Sequence, residues 1–197
     1  NHGATWLQMK TDSFIEARAS AVSVVLSLAT VVLFILAGLW VAFGLDGFVI
    51  TSTVDTLATS NPLKKEVAVE AGAWMANYSK YPWMVVAPLL GIGAGLACAF
   101  FSKAGRGGWA FVSSALMMTG IILTAGFSMF PFLMPSTTMP MASLTVWDAT
   151  SSEMTLKIMF VVACIFVPII LGYTAYSFYV MRGRIKNSDL DSSHAIY

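Results

Sequence analysis

Ala19-Ser-Ala-Val-Ser-Val-Val-Leu-Ser-Leu-Ala-Thr-Val-Val-Leu-Phe-Ile-Leu-Ala-Gly-Leu-Trp-Val-Ala-Phe43 contains no Asp, Glu, Lys, Arg or His. A helix that crosses a bilayer needs about 20 predominantly apolar residues, and this stretch is long enough. Three more segments of the same kind follow: Trp83 to Phe101, Trp109 to Phe132 and Ile158 to Met181, each also free of ionisable side chains. Backbone groups in hydrocarbon must be satisfied within the segment, so the four spans are read as helices. No alternating, glycine-punctuated pattern suggests a β-barrel. The chain is 57% hydrophobic and 11% charged, against roughly 25% charged in a soluble domain. The expectation is an all-α integral membrane protein, a single helical bundle over residues 1–197.

The remaining segments refine that reading. His2-Gly-Ala-Thr-Trp-Leu-Gln-Met-Lys10 enters in mid-pattern and reads as the end of a truncated fifth helix, which suggests the C-terminal part of a longer protein. No charged n-region with a cleavage site is visible. Ser13-x-x-Glu16 and Thr150-x-x-Glu153 read as capping boxes that open the first and fourth spans. Pro88 and Pro168 fall inside the second and fourth spans, where each removes a backbone donor and kinks its helix. Asn61-Pro62 reads as a helix start. Leu63, Val67, Ala71, Trp74 and Tyr78 then recur near helical spacing. A short interfacial helix is therefore expected in the first outer loop, with Trp74, Tyr78, Tyr81 and Trp83 at headgroup level.

Charge sets the orientation. Of 11 Lys and Arg, seven lie in 10–18, 102–108 and 182–197, while four lie in the longer segments 44–82 and 133–157. The positive-inside rule makes 44–82 and 133–157 outer loops and 182–197 a cytoplasmic tail. A formal net charge of +1 and the lack of a basic stripe argue against a nucleic-acid partner. Asn77-Tyr-Ser79 matches a glycosylation sequon and receives almost no weight.

Chemistry-bearing residues are sparse. Cys98 and Cys164 lie inside apolar runs and read as small hydrophobes in helices. His194 is in the polar tail and reads as solvated. His2, at the end of an apolar helix, is imaginable as an axial haem ligand, but a histidine bonded to a polar neighbour is the plainer reading. No pair of histidines faces across helices. Intramembrane ionisable residues mark ion and proton routes, and these spans have none. That makes this region scaffold, and no catalytic, cofactor-binding or metal-ligating residue is assigned. Gly91-Ile-Gly-Ala-Gly95 carries the small-xxx-small spacing of close helix packing. Asp148, after Trp147, reads as a group that serves the dipole or free N–H groups at the start of the fourth span, ahead of a proton-transfer role. Asp46 reads as a turn residue.

Gly126-Phe-Ser-Met-Phe-Pro-Phe-Leu-Met-Pro-Ser136, with Trp147-Asp-Ala-Thr-Ser-Ser152 close behind, is the most distinctive stretch. Pro131, Pro135, Pro140, four methionines and a tryptophan occur there, with no Lys or Arg before Lys157. Such a loop is built to lie folded against other protein at the membrane face. It closely resembles a stretch in subunit II of the cytochrome bd quinol oxidases. So do His2-Gly-Ala-Thr-Trp-Leu-Gln-Met-Lys-Thr11, Asp46-Gly47, Ser60-Asn-Pro-Leu-Lys-Lys-Glu66, Glu70-Ala-Gly-Ala-Trp74, Ile121-Ile-Leu-Thr-Ala-Gly126, Val167-Pro-Ile-Ile-Leu171 and His194-Ala-Ile-Tyr197.

The resemblance implies a bacterial inner-membrane enzyme that oxidises quinol and reduces oxygen to water while building a proton gradient. It places haem b and haem d on subunit I and makes this chain the supporting partner. It also brings a structural quinone and a small accessory subunit as candidate companions, without residues here to hold either. The family's proton-route acids belong to the other half of its chains. Two competing classes remain. A secondary transporter would show broken helices at mid-span, hinted at only by Pro88 with Gly91 and Gly93. A purely structural membrane protein leaves residues 126–152 unexplained.

Overall fold

The computed structural model describes residues 1–53, 61 and 64–184. The polar tail with His194, and Ser60, Pro62 and Leu63 of the expected helix start, lie outside the described residues. Helix α1 (His2–Lys10) leads through a sharp turn into α2 (Ser13–Gly44). Next come strands β1 (Asp46–Ile50) and β2 (Val67–Ala71), short helix α3 (Ala76–Lys80), and the hairpin of α4 (Val86–Lys103) and α5 (Gly107–Met129). Strands β3 (Phe132–Met134) and β4 (Leu144–Thr145), the single turn α6 (Val146–Ala149) and α7 (Glu153–Val180) complete the order. Four helices among the described residues are long and apolar enough to cross a membrane: Ser13–Gly44, Pro82–Lys103, Gly107–Met129 and Glu153–Val180. The fold is all-α, as the apolar runs require, and the loops after α2 and α5 carry two short antiparallel ladders.

The bundle is held by small residues. Gly120 lies so close to α4 that a Cβ there would fall on the Gly91 backbone, and one at Gly91 would come within 3.4 Å of the Ile121 nitrogen. A Cβ on Gly95 would meet Val31 of α2 and, at 3.1 Å, Met117 Sδ of α5. Buried Ala87, Ala94, Cys98, Ala99 and Ala110 surround these contacts. Without a hydrophobic drive between helices in lipid, close approach of this kind is what gives dispersion contact. Cys98 is a wholly buried filler, whereas the free thiol of Cys164 lies on the exposed face of α7. Helix α7 contributes no buried residue and meets α1 where Phe178 packs edge-on against Trp6 at 5.7 Å. A helix that is apolar all round suits lipid or a further helix.

Four local expectations are corrected. The cap of α2 is Asp12, whose carboxylate accepts from Ser13 N. Ser13 itself takes a positive φ of 56°, so it cannot hold the extended conformation that an N-cap needs. Likewise α7 is capped by Ser152, which accepts from Thr155 N, rather than by Thr150. The third span ends at Met129, because Phe132 pairs with Thr145 in a ladder. Finally, Val67 and Ala71, expected on a helix from Asn61, form a strand paired with Asp46–Ile50. From Val67 onward in that loop, helix forms at Ala76–Lys80 and in the tight turns on either side, at Ala73–Met75 and Pro82–Val85.

Candidate functional site

Two polar groupings stand out, one inside the bundle and one in the cap formed by the loops after α2 and α5. The first surrounds α1. His2 Nδ1 lies 2.7 Å from Ser114 Oγ of α5, and the ring stacks on Phe111 at 4.4 Å between centroids. Thr5 Oγ1 lies 3.1 Å from the same serine. Toward α2 and α4, Ser23 Oγ donates to Asn1 Oδ1 at 3.1 Å and lies 2.9 Å from Ser102 Oγ. The Ser102 carbonyl accepts from Gln8 Nε2 at 2.9 Å and from Ser20 Oγ at 2.7 Å. Thr5, Gln8, Ser23, Ser102 and Ser114 are wholly buried. Such bonds between helices hold membrane bundles in register.

Apart from His2 and the Cys98 thiol, to which Asn1 Nδ2 donates at 3.7 Å, the grouping contains hydroxyls and amides. His2 is the one histidine among the described residues, and no group of three or more His, Cys, Asp or Glu among them could hold a metal ion. A single described histidine does not fit a paired-histidine haem site.

The second grouping joins loops distant in sequence. Lys65 Nζ donates to Asp148 Oδ2 at 2.6 Å, with the two side chains only 3% and 9% exposed. The same carboxylate oxygen accepts from Thr145 N at 3.2 Å and from Thr145 Oγ1 at 2.6 Å. Thr145 and Asp148 thus form the capping box of α6. Asp148 therefore serves a separate turn ahead of the fourth span, rather than that span itself. Burial pushes the Asp148 carboxyl up, but the bonds from Lys65 and Thr145 and the Lys65 charge outweigh it and hold it below the ordinary carboxylate value. Opposite charge and hydrogen bonds to the charged form both favour ionisation.

Aromatic rings cluster in the same cap. Phe48 of β1, Trp74 and Phe132 of β3 meet at 5.5 to 6.2 Å, and Phe130 lies edge-on to Trp147 at 6.4 Å. Trp74 Nε1 donates to the Asp46 carbonyl at 3.1 Å, which gives Asp46 a place in the ladder rather than in a free turn. Ser128 Oγ donates to the Trp74 carbonyl at 2.8 Å. The Asn77 amide donates to the carbonyls of Phe127 and Phe130, and so fastens the end of α5 to α3. Tyr78 Oη donates to the Thr124 carbonyl at 2.8 Å. Burial, opposed by the contact with Thr124, pushes the Tyr78 phenol up. A cavity of about 360 Å3 lies in this cap, walled by Phe48, Trp74, Asn77, Phe130, Phe132 and Trp147 among others.

The sequence pointed to Trp147 and Asp148 but missed their partners. Lys65 was counted only as an outward cation. The spacing Thr145-x-x-Asp148 carries the same capping signal that was read at residues 13 and 150, and it is the one that forms.

A family model described as cytochrome bd terminal oxidase subunit II matches residues 1–181. A probable cytochrome oxidase subunit 2 of Haemophilus influenzae is 49% identical over 197 residues, covering 100% of this chain and 52% of its own length. The cytochrome bd-I ubiquinol oxidase subunit 2 of Escherichia coli K12 is 49% identical over 196 residues, with 99% and 52% covered. The cytochrome bd ubiquinol oxidase subunit 2 of Bacillus subtilis is 33% identical over 97 residues, 48% of this chain and 28% of that one. The chain spans about half the length of the first two relatives.

Proposed function

The chain belongs to the cytochrome bd terminal oxidase subunit II family, and from that membership we propose that it supports subunit I in a quinol-oxidising, oxygen-reducing membrane complex. The observation that carries this reading is 49% identity sustained along the whole chain. The physical character of the residues agrees with a supporting role. The long apolar helices carry no buried acid, and their polar contacts are hydroxyl and amide bonds spent on holding helices together. The outer cap is stiffened by a buried ion pair and an aromatic cluster, as suits a surface that receives another subunit.

In this reading haem b and haem d sit on subunit I and supply the electron transfer and oxygen chemistry. The described residues of this chain ligate no haem in this reading. They fix the spacing of α2, α4 and α5 and present the 130–147 cap on the outer side. Protons consumed in reducing oxygen are drawn from one face and those of quinol released at the other, which builds the gradient. Quinol and oxygen are substrates of the complex, and membrane lipid bathes α7. A structural quinone and a small accessory subunit are further companions on this reading. The end of α1, the start of α2 and the end of α7 come together through Lys10 Nζ on the Met181 carbonyl at 3.2 Å and Arg184 on Glu16 at 3.5 Å. With their cation excess, these ends face the cytoplasm together with the C-terminal tail.

The test is purification of the full-length chain by an affinity tag under mild detergent. Recovery of one stoichiometric haem-bearing membrane partner supports the reading. Recovery of the chain alone, at full yield and without pigment, refutes it and favours a transport or purely structural role.

A further inference from the structure

A notch of about 220 Å3 opens where α1, the start of α2 and the end of α4 meet, walled by Gln8, Ser13, Glu16, Ser20, Ser102 and Lys103 among others. Gln8 is wholly buried, and its Nε2 is spent on the Ser102 carbonyl at 2.9 Å. Its Oε1 has no hydrogen-bond partner. A buried acceptor left unmade costs on the order of 1–3 kcal/mol, so a donor is required. We propose that the notch is a built water site, in which an ordered water donates to Gln8 Oε1 and closes the polar contact between α1, α2 and α4.

The surrounding groups select a neutral ligand that both donates and accepts. A cation would meet Lys103 on the wall and the Arg184 guanidinium that lies 3.5 Å from Glu16. An anion would meet the Glu16 carboxylate and the amide oxygen itself. Water donates to Oε1 and reaches the hydroxyls of Ser13 and Ser20 or the carboxylate of Glu16 for its other bonds, the two to four polar partners a buried water needs. The volume holds several waters at about 30 Å3 each. Oε1 is closed to bulk solvent in this rotamer, and the broad terminal torsion of a glutamine lets the amide turn toward the notch. The hydroxyl chain from Ser102 to Ser23 and Asn1 begins at this hydrated end, which makes the notch the solvent-side terminus of the interior polar grouping.

The experiment is a high-resolution cryo-EM map of the full-length chain in its native membrane complex, for wild type and for Gln8→Met. The expected wild-type result is a water peak about 2.6–3.2 Å from Gln8 Oε1, with a second polar contact on the notch wall. The same peak is expected to vanish in Gln8→Met while Ser20 still bonds the Ser102 carbonyl. A wild-type notch without a peak overturns the proposal. So does one filled by a side chain from another part of the complex that donates to Oε1, or a peak unchanged in Gln8→Met.

Discussion

Replacing Asp148 by Ala is expected to damage the protein far more than replacing Lys65 by Met, although the two share one ion pair. Asp148→Ala takes the carboxylate from an ammonium that is 3% exposed. It also removes the acceptor of both Thr145 bonds. Breaking one side of a buried pair costs about 3–5 kcal/mol. Lys65 has further interactions, which place its share near the lower end, and losing the cap adds about 1 kcal/mol. A total of about 4 kcal/mol corresponds to roughly 8–16 °C in Tm at this size. Lys65→Met leaves Asp148 its two Thr145 bonds and retains most of the aliphatic stem, so about half that loss is expected.

The double variant Lys65→Met, Asp148→Leu is expected to recover part of the Asp148→Ala loss, since apolar replacement of a buried pair is often near neutral. The assay is a heat challenge of purified complex read by size-exclusion recovery, with Asp148→Leu added as a single variant so that it and Lys65→Met close a double-mutant cycle. Equal losses for Asp148→Ala and Lys65→Met, or an Asp148→Ala shift under about 2 °C, would refute the reasoning.

Acid should open the cap only at low pH. The folded Asp148 carboxyl is held below its ordinary value, so its stabilisation is complete above about pH 3.9 and fades as pH falls through the lowered folded value. Protease nicking of residues 130–150 in wild type is expected to start below that range, and a midpoint above it would contradict the assignment. Gly120→Leu should abolish assembly because its Cβ falls on the Gly91 backbone, whereas Gly126→Leu, with nothing within 4 Å, should assemble normally; equal yields would sink the close-packing account. Trp147→Ala is expected to weaken association with subunit I, and copurification at wild-type yield would count against it. His2→Ala should leave every haem band in place, at the cost of about 1 kcal/mol for the lost Ser114 bond; loss of a band would place a ligand on this chain.

The bundle was legible because spanning a bilayer imposes a local rule, a long uncharged apolar run, that any window of sequence reveals. The cap was not, because its structure depends on partners far apart. Val67, Ala71, Trp74 and Tyr78 fit a helical period by chance of spacing. Pairing with Asp46–Ile50 overrode it, since strand propensity is decided by the neighbouring strand. Lys65 and Asp148 lie 83 positions apart, and nothing local tells a cation that seeks a carboxylate from one that faces water. The misplaced caps at Ser13 and Thr150 show the opposite failing. The motif is short enough to occur without forming, and only backbone conformation, as at Ser13, decides between adjacent candidates. For the interior grouping, the serines read as ordinary membrane-helix residues. Their convergence on α1 required the packing of α2, α4 and α5 to be known.

The measurement that bears most directly on the central claim is the reduced-minus-oxidised absorption spectrum of the complex pulled down through the full-length chain, taken with quinol-driven oxygen uptake on the same sample. The account predicts haem b and haem d bands together with uptake that depends on added quinol. A colourless sample without oxygen uptake, from a chain recovered intact, would contradict it.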